Sequence, residues 1–137
     1  MIDRRFLVSE LIACLLSAAI LPIAPSSTSF AAALAALDKD SDGTLDLAEV
    51  KAAAASVFDK LDKDSDATLD RKEIAGRAGK TQFKQADLDH DGTLKKEEYL
   101  GLVERLFNAA DADKDGTLDP KELRSTAGRA LLRLIQP

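Results

Sequence analysis

The residues that carry redox and acid–base chemistry are nearly missing from this chain. It has one cysteine, Cys14, and one histidine, His90, in 137 residues. A lone cysteine in an apolar run is more often a small hydrophobe than a reactive thiol. With Cys14 set aside no disulfide can form, so stability rests on the core and on any bound metal. No second histidine and no nucleophile–base pairing remain, so the chain reads as not an enzyme. Methionine is confined to Met1. That counts against the flexible methionine-rich groove with which many sensors clamp target helices. Long apolar runs are missing too: the main one, Leu11 to Ile23, is short for a membrane span.

What the N-terminus does have is the layout of an export signal. Arg4 and Arg5 precede the apolar run, and Ala24-Pro25-Ser26-Ser27-Thr28-Ser29 follows it. This fits a secretory signal peptide over residues 1–26, with cleavage in the window 26–33, after Ser26 or after Ala31. The remainder, 27–137, is then a single exported domain, periplasmic or secreted and free of the membrane. Leu11-Ile12-Ala13 before Cys14 resembles a lipoprotein box, but Glu10 and the apolar residues after the cysteine argue against lipidation.

The formal net charge of −5 hides a strong segregation. Four twelve-residue strings, Asp38–Glu49, Asp62–Glu73, Asp87–Glu98 and Asp111–Glu122, hold 20 of the 24 acidic residues and only 8 of the 19 basic ones. Their combined charge is −12. Negative charge concentrated in this way is a cation site and not a nucleic-acid surface.

The strings share one pattern: acids at positions 1, 3, 5 and 12, Thr at 7, Leu at 8. It is the EF-hand loop, which wraps oxygen ligands around a hard cation. Loop 1 offers Asp38, Asp40, Asp42, Thr44 (by its carbonyl), Asp46 and Glu49. Loop 2 offers Asp62, Asp64, Asp66, Thr68, Asp70 and Glu73. Loop 3 offers Asp87, Asp89, Asp91, Thr93 and Glu98, with Lys95 at position 9. Loop 4 offers Asp111, Asp113, Asp115, Thr117, Asp119 and Glu122. Position 6, the sharp turn, is Gly43, Gly92 and Gly116 but Ala67 in loop 2; alanine at positive φ costs about 1–2 kcal/mol. Loops 2 and 3 are therefore expected to bind more weakly than loops 1 and 4. Asp46, Asp70 and Asp119 also fit a capping box with the glutamate three residues on, and Pro120 suits a first helical turn. His90 and Glu97 are expected to face solvent.

The loops begin at 38, 62, 87 and 111, at intervals of 24, 25 and 24. Val50, Ala54, Val57, Phe58 and Leu61 mark one continuous amphipathic helix between loops 1 and 2. Tyr99, Leu102, Val103, Leu106 and Phe107 mark another between loops 3 and 4. Gly76 and Gly79 break the connector between loops 2 and 3, with Thr81 expected to cap a short helix through Phe83 and Ala86. A last helix is expected from Leu123 through Leu134. Phe58, Phe83 and Phe107, and Leu34 before loop 1, each stand four residues ahead of a loop and read as core. A rigid helix keeps adjacent loops 1 and 2 apart, whereas the broken connector lets loops 2 and 3 meet. The expected fold is all-α: four EF-hand loops on a compact helical bundle, loops 1/4 and 2/3 paired by short β-bridges through Leu45, Leu69, Leu94 and Leu118.

The run from Phe58 through FDKLDKDSDATLDRKEIAGR, ADLDHDGTLKKEEYL and the Ala127–Leu131 tail, together with the loop spacing, resembles the lanmodulin family. Those are small periplasmic lanthanide-binding proteins of methylotrophic bacteria. The resemblance implies lanthanide(III) ions as the bound species, selectivity over calcium, folding on metal binding, and the loop ligands named above. Four or five ligand carboxylates per loop lean the same way, because a trivalent ion gains more from each by Coulomb attraction. The chain departs from the family at position 2, where Lys39, Lys63, Leu88 and Ala112 stand in place of proline, and at Lys95. Two alternatives stand beside this reading: an exported Ca2+-binding EF-hand protein, and a calcium-dependent interaction module of the dockerin type. Metal ions are the only partners the sequence names.

Overall fold

A computed structural model describes residues 27–137. Residues 1–26, where a signal peptide is expected, lie outside the described residues, and Cys14 with them. The first helix, α1 (Ser27–Leu37), leads into loop 1; α2 (Leu47–Leu61) joins loops 1 and 2; α3 (Lys80–Ala86) precedes loop 3; α4 (Lys96–Ala110) joins loops 3 and 4; α5 (Thr126–Ile135) closes the chain. Each helix that enters a loop stops in the same way. The N–H of the first loop aspartate donates to the carbonyl four residues back, Asp38 to Leu34, Asp62 to Phe58, Asp87 to Phe83 and Asp111 to Phe107, at 2.8–3.0 Å. The aspartate side chain then turns inward and the helix ends.

Four two-residue strands lie within the loops: β1 (Leu45–Asp46), β2 (Thr68–Leu69), β3 (Leu94–Lys95) and β4 (Thr117–Leu118). β1 pairs antiparallel with β4, and β2 with β3. Leu45 faces Leu118, and Leu69 faces Leu94, so position 8 meets position 8 in both pairs. The cause is the one the spacing implies. α2 and α4 are each 15 residues long, which sets neighbouring loops about 22 Å apart at the rise of an α-helix. Only across the irregular stretch 70–79, where Gly76 takes φ +81°, can neighbouring loops fold back on each other.

The core lies behind the loops. α4 packs on both α2 and α5. Val50, Ala54 and Phe58 meet Tyr99, Val103 and Phe107, with Leu131, Leu134 and Ile135 closing the third side, all buried. The four position-8 leucines are fully buried and tie each strand pair to this core. Tyr99 stands edge-on to Phe58, ring centroids 5.7 Å apart, and its hydroxyl donates to the Leu134 carbonyl at 2.6 Å. Arg77 donates to the carbonyls of Arg133 and Gln136, fastening the broken connector to the end of α5. No helix among the described residues is long and apolar enough to cross a membrane.

Two local expectations need correction. Thr81 does not cap α3; Gly79 does, and its N–H is taken by the Gln82 side chain at 2.9 Å. Glycine adopts the extended cap backbone freely, and the glutamine supplies the acceptor that glycine lacks. The last helix does not run unbroken from Leu123. A 3-10 turn over Glu122–Arg124 is followed by Ser125 in extended conformation, whose hydroxyl accepts the Gly128 N–H at 3.0 Å. The break is possible because Gly128 has no side chain: a Cβ there would sit 2.4 Å from the Glu122 carbonyl oxygen.

Candidate metal sites

Each loop is a ring of carboxylates held by its own backbone. The glutamate at position 12 bridges the two ends. Its Oε1 accepts the N–H of position 2 (Lys39, Lys63, Leu88, Ala112) at 2.6–2.9 Å. Its Oε2 accepts the N–H of position 9 (Asp46, Asp70, Lys95, Asp119) at 3.0–3.2 Å. Oδ2 of the first aspartate (Asp38, Asp62, Asp87, Asp111) accepts the N–H of position 6 at 2.9–3.2 Å. The threonine at position 7 donates both its N–H and its hydroxyl to one oxygen of the position-5 aspartate: Thr44 to Asp42, Thr68 to Asp66, Thr93 to Asp91, Thr117 to Asp115. That leaves the other oxygen of each free to ligate.

The turn that makes this possible needs two left-handed residues. Position 6 takes φ between +64° and +88° in all four loops, Ala67 among them. Position 4 takes +59° to +64° at Ser41, Ser65, His90 and Lys114, none of them glycine. His90 and Glu97 are exposed, as expected.

Three acids converge in every loop, with one oxygen from each lying within 4.8 Å of the others. The groups are Asp38, Asp40 and Glu49; Asp62, Asp64 and Asp66; Asp87, Asp89 and Glu98; Asp111, Asp113 and Glu122. Their charges are felt. Loss of surrounding water, then the charges of Asp66 and Glu73, hold Asp64 above the usual carboxylate range. Asp40 is raised by the same loss of water, helped by Asp42 and Glu49 against a lowering hydrogen bond. The Thr44 N–H and hydroxyl hold Asp42 below that range, and the Thr93 side chain does the same for Asp91.

Position 9 behaves as a helix cap. Asp46, Asp70 and Asp119 accept the N–H of Glu49, Glu73 and Glu122 at 2.7–2.8 Å, and the glutamates reciprocate. Only after Asp46 does a full helix follow at once. After Asp70 the chain continues in turns, and after Asp119 in the short 3-10 segment. Lys95 has no acceptor to offer. Instead its ammonium reaches back into loop 3, pairing with Asp89 and lying 3.7 Å from Asp91. Sequence reasoning placed a cation near that loop but not inside it. The backbone amide at position 2 is the other contributor it missed, because a side-chain pattern carries no signal for it.

Loop 3 also holds a feature that tests the donor set. Asp87 is buried, 7 % exposed, and its Oδ1 has no hydrogen-bond partner. A dehydrated, unpaired carboxylate oxygen is costly unless a cation completes it. Oxygen donors alone, with no sulfur and no imidazole turned inward, suit a hard ion.

Helix–loop–helix units paired through short antiparallel strands, each enclosing a ring of carboxylates, define a cation-binding protein. The EF hand family model matches residues 30–52, 80–103 and 102–125, half of the chain, and the chain belongs to the EF-hand family. The matched stretches take in loops 1, 3 and 4. Loop 2 lies outside them, and it is the loop with alanine at the sharp turn and no helix directly after it. No curated protein matches the chain.

Proposed function

We propose that this EF-hand protein is an exported lanthanide-binding protein of the lanmodulin kind, acting as an ion buffer, carrier or sensor in the periplasm or outside the cell. The observation that carries the reading is the density of acid: twenty carboxylates in four loops, with three converging in each. Four or five carboxylates over-neutralise a divalent ion, whereas a trivalent ion of similar radius gains from every one of them. Aspartates at positions 1, 3 and 5, the threonine carbonyl at 7 and the glutamate at 12 would hold the ion. Until it arrives the clustered charges oppose closure, so binding free energy becomes folding free energy. The apolar N-terminal run supports export.

One observation favours calcium as a second reading. The position-9 aspartates are occupied as caps, which leaves each loop with a carboxylate count that is ordinary for Ca2+. Competition between lanthanum and calcium under chelator control, read by circular dichroism, decides between them. The rare-earth reading expects a helical response to lanthanum at free concentrations orders of magnitude below those needed for calcium. A full response to micromolar calcium that lanthanum does not improve would overturn it.

A further inference from the structure

We propose that Lys95 is a tethered counter-ion that stands in for metal in loop 3, and that it makes loops 2 and 3 the late-filling half of the molecule. This rests on the metal-binding reading above and concerns the order in which the loops fill.

The ammonium of Lys95 pairs with Asp89 and lies 3.7 Å from Asp91, the acids at positions 3 and 5 of its own loop. Among the described residues no other loop has an ion pair of this kind. An incoming ion therefore meets two carboxylates that already share one ammonium, and the ammonium must leave before both can ligate. It can leave: the Lys95 side chain is half exposed, and such pairs are weak. Nor does it satisfy the loop completely. Oδ1 of Asp87 stays buried and without a hydrogen-bond partner. The lysine thus delays metal without replacing it.

The strand pairing extends the effect to a neighbour. Lys95 lies opposite Thr68 across the β2–β3 ladder. Thr68 is position 7 of loop 2, whose carbonyl would be a ligand there. Loop 2 carries a handicap of its own, Ala67 at φ +64°. The two handicapped loops share one ladder, and the two unhandicapped loops share the other. The 1/4 pair then fills at low free metal and the 2/3 pair over a higher range, so one small domain responds to two ranges of ion concentration.

The amides at position 6 report each loop separately. In full-length, 15N-labelled protein titrated with lanthanum, the Gly43 and Gly116 amides are expected to reach their bound positions before Gly92 and Ala67. Lys95→Gln removes the ammonium without restoring an acid. It should lower the Gly92 midpoint by roughly three- to tenfold, the scale of one or two exposed ion pairs. Ala67 should move the same way, while Gly43 and Gly116 stay put. Lys96→Gln removes the same charge one residue on and should leave Gly92 within twofold of wild type. The inference fails if Gly92 fills with or before Gly43 and Gly116 in the wild type. It fails equally if Lys95→Gln leaves Gly92 unmoved, or if Lys96→Gln moves it as far. Silence of all four amides toward both lanthanum and calcium would remove the metal-binding reading itself, and this inference with it.

Discussion

At the scale of single residues, Ala67 can be weighed by substitution and Tyr99 by titration. Ala67 holds φ +64° where the other loops have glycine. Left-handed backbone costs a non-glycine residue about 1–2 kcal/mol, and glycine returns part of that as extra freedom in the unfolded chain. Ala67→Gly should therefore stabilise the metal-loaded protein by about 0.5–1 kcal/mol, measured by denaturant titration, and tighten loop 2. Tyr99 is the chain's one tyrosine. Burial, opposed by Arg77, pushes its phenol up to about 12. Between the ordinary value of roughly 10 and that figure, the unfolded chain releases a proton that the folded chain keeps. Stability thus falls as pH rises through this window and is unaffected by Tyr99 below it. Absorbance at 295 nm should show a single titration near 12 in the folded protein, and one near 10 in denaturant would complete the contrast. Ligand residues of this type are legible in a sequence because position along a fixed loop implies direction in space. The Lys95–Asp89 contact was not, since a lysine at position 9 can as well extend into water.

At the scale of elements, α2 and α4 were legible from apolar spacing, and their lengths imply which loops can meet. The end of the chain was not. Ser125 and Gly128 read as ordinary members of an amphipathic run, and the break between them depends on a close approach that no periodicity reports. The methyl group in Gly128→Ala would press on the carbonyl of Glu122 and the backbone of Leu123. Overpacking of this kind costs about 1–3 kcal/mol. Because Glu122 is one of the three acids that converge in loop 4, the variant should lose both thermal stability and affinity at that loop, with loops 2 and 3 spared. Calorimetric titration of the variant beside wild type checks both parts. The same blindness explains Gly79: the cap was assigned to Thr81 because threonine is the better capping residue, but Gln82 reached back to serve the glycine.

At the scale of the whole molecule, the four loops carry −12 and the rest of the chain +7. The metal-free protein should repel itself, and that repulsion is screened by salt within about 10 Å at 0.1 M ionic strength. Small-angle scattering of chelated protein is therefore expected to show compaction as salt rises, and a sharper compaction on adding lanthanum at constant ionic strength. Equal dimensions and equal helicity with chelator and with lanthanum would refute coupled folding. Overall topology was the most legible level, since the rigid helices after loops 1 and 3 keep those loops from their neighbours while the broken connector lets loops 2 and 3 meet. The placement of Tyr99 gives the architecture one more use. Tyr99 follows Glu98 of loop 3 in sequence, with its ring turned into the core against Phe58 and the Leu134 carbonyl, in a chain with no tryptophan. Ultraviolet light absorbed by this one tyrosine can pass to terbium bound by the loops, so green luminescence is expected to rise as the protein fills, with an antenna the protein already owns.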